Sequence, residues 1–129
     1  MVANGMTLDP RHYQHILGDF GIGTEWHEFS HESLAQAIAQ NRGVLAVGDA
    51  HYLNPAAYPT ERAYHAFMIT DISRGPLGEI TAYKGIDSNF QQQEINWSPE
   101  AIEQALGHSP LQQQLLVSLQ EMKWPFKTS

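Results

Sequence analysis

Two alternating stretches, residues 63–71 and 79–87, flank a segment rich in glycine and proline that spans residues 73–78. Alternation with a period of two suits strands with one buried face, and a Gly/Pro segment between them suits a turn. The pair therefore predicts an antiparallel hairpin, which commits the chain to building a sheet around it. A third strand is expected over 92–97. Upstream, Val44-Leu45-Ala46-Val47 lies between Gly43 and Gly48 and predicts a short buried strand.

Helical signals surround these strands. Asp9-Pro10 reads as an N-cap followed by the first helical residue, leading to a helix with Tyr13, Ile16, Leu17 and Phe20 on one face. Gly18, Gly21 and Gly23 break it. A second helix starts near Ser30, presents Leu34, Ala37 and Ile38, and stops at Gly43. Ser98-Pro99-Glu100 opens a third, with Ile102, Ala105 and Leu106 apolar. Ser109-Pro110 repeats the signal and predicts a last helix with Leu111, Leu115, Leu119 and Met122 inward. The segment 49–61, holding Pro55 and Pro59, reads as an irregular loop. Helices, then a meander of strands, then helices again give a single α+β domain over 1–129 with a mainly antiparallel sheet.

Composition narrows the function classes. A length of 129 residues with 42% hydrophobic and 10% aromatic content suits one globular domain. No apolar run approaches the ~20 residues that span a bilayer, and residues 1–10 carry no secretory signal pattern. A formal charge of −7 without a basic cluster argues against nucleic acid as a partner. The chain has no cysteine, which excludes disulfides, thiolate zinc sites and a cysteine nucleophile within it.

His65 and Asp87 carry the chemistry. With residues 74–78 as the hairpin loop, Ser73 faces Glu79, Asp71 faces Thr81, and His65 falls opposite Asp87. Opposed residues share a face with Cβ atoms roughly 4.5–5.5 Å apart. A carboxylate that near accepts a proton from one imidazole nitrogen and fixes the other as a base. A slip by one residue would separate the two. The same residues also suit plain roles as exposed polar groups or turn formers. Tyr52, Leu53 and Tyr58 lie on the long loop, where contacts to a bound segment concentrate. Asp49, His51 and His65 have metal-ligand chemistry but no helical spacing, and His27 and His31 are separated by the helix boundary at Phe29-Ser30, so no metal or other cofactor is expected.

Several short motifs, in this order, resemble bacterial papain-like cysteine peptidase domains. They are Gly5-Met6-Thr7, Ile16-Leu17-Gly18-Asp19-Phe20-Gly21-Ile22, residues 34–44, Gly48-Asp49-Ala50-His51-Tyr52-Leu53, Tyr64-His65-Ala66-Phe67-Met68-Ile69-Thr70, and Gly78-Glu79-Ile80 through Ile86-Asp87-Ser88. The resemblance covers about residues 5–106 and includes peptidases that process double-glycine leaders and papain-like toxins of bacterial secretion systems. It implies a papain-like fold, His65 as catalytic base, Asp87 as its orienting carboxylate, and Asp49, His51, Tyr52 and Tyr64 in contact with substrate. It also implies a protein or peptide substrate, with a cognate inhibitor or immunity protein as a further partner. The expected setting is the bacterial cytoplasm or a target cell, with no membrane partner.

The family's glutamine and helix-borne cysteine are expected before the first residues of this chain, leaving a truncated chain, a cleavage product or a natural domain without the nucleophile. The chain alone is expected to be inactive. A non-catalytic papain-like binding or regulatory module, and a small interaction or immunity-like protein, stand as alternatives.

Overall fold

The computed structural model describes residues 10–86, 94–108 and 114–121, with the side chains of 10–13 outside that description. Three helices, α1 (Pro10–Asp19), α2 (His31–Ala39) and α3 (Pro99–Gly107), accompany six strands. The strands are β1 (Thr24–Glu28), β2 (Arg42–Asp49), β3 (Tyr64–Arg74), β4 (Ile80–Ile86), β5 (Glu94–Trp97) and β6 (Gln114–Glu121). They form one sheet in the order β1-β6-β2-β3-β4-β5, and every pairing is antiparallel. The α+β class and the antiparallel sheet agree with the expectation from sequence.

Local chemistry explains the helix starts. Ser30 and Ser33 exchange side-chain-to-backbone hydrogen bonds across the first turn of α2, and Ser98 accepts from the Ala101 N–H at the start of α3. Pro99 occupies the first turn of α3, where its missing N–H costs nothing. Helix α2 ends at Ala39, four residues before the glycine expected to stop it. Asn41 adopts a left-handed φ of 56° there, a conformation asparagine tolerates.

One face of the sheet packs against α2 and α3. Leu34, Ala37 and Ile38 from α2, and Ile102 and Leu106 from α3, meet Val44, Ala46, Phe67, Ile69, Tyr83, Leu115 and Val117. Trp97 closes this core edge-on to Phe67, with ring centroids 5.2 Å apart. On the opposite face, pairing places Trp26, Leu116, Leu45, Met68 and Ile86 in one row across five strands. Leu17 of α1 and Ile22 pack beside that row, lining a small hollow with Leu45, Met68 and Leu116. The expected inward face of α1 is only partly inward, because Phe20 is 78% exposed.

Two expectations are corrected, and one strand is added. The segment read as a last helix is strand β6 over the described residues 114–121; Ser109, Pro110, Leu111 and Met122 lie outside them. Strand β1 was unexpected. The β3–β4 register is displaced: Ser73 faces Ala82 rather than Glu79, and Asp71 faces Lys84 rather than Thr81. The displacement is set at the turn, where Arg74 already faces Ile80. The irregularities between Ser73 and Arg74 and between Ile69 and Asp71 add one residue and then remove it, so that Met68 faces Ile86. The strands therefore do not follow the register from which His65 and Asp87 were paired.

Strand β1 is tied to the sheet by charge. Arg42 reaches from β2 to Glu25 at 2.6 Å and donates its Nε–H to the Ser118 carbonyl, while His27 Nε2 lies 2.6 Å from the same Glu25 carboxylate. The Arg42 hydrogen bond, then that of His27, holds the Glu25 carboxyl below its usual 4.5. A carboxyl depressed in the folded state stabilises above that value and loses its contribution as pH falls through the folded one. Glu25→Gln should therefore weaken the protein at pH 7, with the gap to wild type closing as urea midpoints are followed below pH 4.5.

Candidate functional site

The end of the sheet where β2 finishes and β3 begins gathers most of the residues singled out from sequence. Asp49 pairs with Tyr64 and Gly48 with His65. The two-residue strand period puts His65 on the face of Phe67 and Ile69, the face under α2 and α3. A Cβ added at Gly48 would lie 2.8 Å from the Ala105 carbonyl oxygen, so α3 rides directly on that glycine. His65, the cross-strand partner of Gly48, is half-buried at this end of the strand pair.

Asp49 is a structural anchor. It is 1% exposed, and its carboxylate accepts the backbone N–H groups of His51 at 3.1 Å, Arg62 at 2.7 Å and Ala63 at 3.0 Å. One side chain thereby satisfies donors at both ends of the excursion between β2 and β3. Its oxygens point into the chain's own backbone, which makes Asp49 a shaper of the surface rather than a residue that touches a ligand.

Past Asp49 the chain makes a short 3-10 turn, Ala50–Tyr52, and then a loop. His51 donates from Nδ1 to the Tyr58 carbonyl at 2.8 Å, and the Tyr58 ring lies 6.1 Å from the His65 ring, tilted by 32°. The Tyr52 ring stacks on His108 at 4.5 Å with His51 set edge-on beside it. The Tyr52 hydroxyl donates to Glu61 at 2.7 Å; that bond, then burial, pushes the phenol up to about 12. The assembled surface presents imidazole and aromatic groups with one carboxylate, suited to hydrogen bonding and apolar contact with an extended polypeptide.

His51, Tyr52 and His65 are joined through Tyr58 at this end of the sheet, whereas Tyr64, the strand neighbour of His65, faces the opposite side. Asp87 lies outside the described residues. Glu61 and His108 were not anticipated: Glu61 sits on an aperiodic loop, and His108 follows the last turn of α3 as its C-cap. Tyr58 carried a signal, being an aromatic residue between two prolines on a loop. His27 lies in β1 and His31 opens α2. Among the described residues no group of three or more potential ligands is placed to hold a metal ion. No helix among them is long and apolar enough to cross a membrane.

A second polar cluster lies elsewhere. Tyr83, fully buried, donates its hydroxyl to His31 Nδ1 at 2.5 Å, and His31 Nε2 lies 2.6 Å from Glu103. Burial, reinforced by the Glu103 charge, pushes the Tyr83 phenol up to about 12. His31 also lines a hollow of about 360 Å³ with Ala35, Ala39, Arg74 and Ile80. Both ring nitrogens of His31 are engaged in joining β4, α2 and α3, so the cluster reads as a core strap rather than as a reactive base. Compared with known proteins, the chain matches no family model, no curated protein and no solved structure.

Proposed function

We propose that this chain is the histidine-bearing portion of a papain-like peptidase domain from a bacterial effector or toxin. Having no cysteine, the chain engages a peptide segment at the His65 end of the sheet without cleaving it. The observation that supports this reading is the grouping of His51, Tyr52 and Tyr58 beside His65, on a scaffold whose loop is fixed by a buried carboxylate. Aromatic side chains on a pinned loop bind extended segments at low entropic cost. Where a thiol is supplied beside it, His65 would take the thiol proton and return it to the leaving amine. The natural ligand is then a protein segment of an intracellular target, or a cognate inhibitor that mimics one.

Selection from a randomised peptide library against the purified chain tests the proposal. The expected outcome is an enriched peptide that the chain leaves intact by mass. Tyr52→Ala should weaken its affinity about tenfold, the loss of ~1.4 kcal/mol typical of a contributing aromatic contact. His65→Ala should change it little. Absence of any enriched peptide, or unchanged affinity in Tyr52→Ala, would refute the binding reading.

A further inference from the structure

The loop between β2 and β3 leaves and re-enters the sheet at one point. The Ala50 N–H donates to the Ala63 carbonyl at 2.8 Å, and Asp49 holds His51 at the exit and Arg62 and Ala63 at the return. Its ends are therefore locked together, as in a compact Ω-type loop. Beyond this neck the character changes. Pro55, Ala56, Ala57, Pro59, Thr60 and Glu61 are exposed. The tip has its own internal turn, with the N–H groups of Ala57 and Tyr58 both donating to the Asn54 carbonyl. Two prolines and that turn make the tip stiff enough to move as one piece.

Two side-chain ties lay this tip against the body: His51 Nδ1 to the Tyr58 carbonyl, and the Tyr52 hydroxyl to Glu61. The first of them sets Tyr58 down beside the His65 imidazole. A rigid neck, a stiff tip and two breakable ties are the parts of a hinged cover.

We propose that residues 54–61 form such a cover, with Tyr58 seated against His65 in the closed state and lifted away when a polypeptide ligand enters. The ligand clause rests on the binding reading above; the cover itself does not. Opening breaks the His51–Tyr58 and Tyr52–Glu61 hydrogen bonds and leaves the Asp49 neck intact. Tyr58 is then a self-blocking residue, whose ring takes the place of an incoming aromatic or aliphatic side chain.

Acylation of histidines by diethyl pyrocarbonate, followed residue by residue with mass spectrometry, tests the cover without any ligand. His15, whose side chain is 76% exposed, serves as the internal reference. His51→Phe keeps an edge-on ring but removes the tie, and Tyr58→Ala removes the blocking ring. His51→Phe should raise the His65 rate about fivefold, the shift produced by losing one ordinary hydrogen bond. Tyr58→Ala should raise it by uncovering the imidazole, although the His51 bond to the backbone carbonyl remains, with the His15 rate unchanged in both. An unchanged His65 rate in both variants would overturn the proposal. Faster His65 acylation together with failure to select any peptide would leave the cover standing and remove the binding reading.

Discussion

Asp49→Ala should be among the most damaging single substitutions in this protein, costing about 3 kcal/mol. The change strands the N–H groups of His51, Arg62 and Ala63 around a buried space, and each buried donor left without an acceptor costs about 1–3 kcal/mol before relaxation and water recover part of it. Asp49→Asn separates geometry from acceptor count. Its single oxygen still serves two of the donors, His51 and Ala63, which share Oδ1 in the wild type. Its amide instead points N–H against the N–H of Arg62, so a substantial part of the loss should persist. Urea midpoints of the three proteins measure this directly. A loss below about 0.5 kcal/mol for Asp49→Ala, the scale of an ordinary surface change, would mean that the carboxylate does not hold the loop.

Gly85→Ala should cost about 2–3 kcal/mol, the upper range for overpacking a well-filled core. Gly85 pairs with Ile69 on one side and Ile95 on the other, so its neighbours are fixed by two ladders. A Cβ there would collide with the Met68 carbonyl and the ring of Trp97. The backbone oxygen cannot move without breaking the β3–β4 pairing, and the indole is 5% exposed within the core. Trimming the indole supplies the control. In a Trp97→Leu background the methyl should be tolerated better, so thermal unfolding of the double-mutant cycle should show less than additive loss. Full additivity would place the cost elsewhere.

How far the sequence could be read depended on how local each signal was. The hairpin was legible because alternation and a Gly/Pro turn both act within a few residues. Its register was not, because the Gly/Pro segment marks a turn without saying which residue closes it: Arg74 pairs with Ile80, two residues beyond the expected register. Strand β6 shows the limit most clearly. Leu111, Leu115, Leu119 and Met122 have helical spacing, yet Leu115-Leu116-Val117 is buried between β1 and β2 with neither face free. A central strand covered on both faces has no alternation to distinguish it from a helix. Strand β1, Thr24-Glu25-Trp26-His27-Glu28, escaped notice because three of its five residues are charged or imidazole-bearing, as suits an edge strand.

The candidate site divides in the same way. Tyr52 and Tyr58 could be singled out as aromatic residues on the long loop, and His51 and Tyr64 through the short motifs of the resemblance. The anchoring role of Asp49 could not, since its three partners lie two, thirteen and fourteen residues away in sequence. The Tyr83–His31–Glu103 strap joins residues 52 and 72 positions apart, beyond any periodic signal.

That a polypeptide binds at the His65 end of the sheet is best tested by aromatic and backbone NMR of the labelled chain titrated with a selected peptide. Among the described residues, the surface around Tyr52, Tyr58 and His65 competes with the hollow lined by His31, Arg74 and Ile80. Resonances of the first group should shift in step with peptide concentration while those of the second stay fixed. Shifts concentrated at His31, Arg74 and Ile80, with His65 and Tyr58 unmoved, would contradict the assignment.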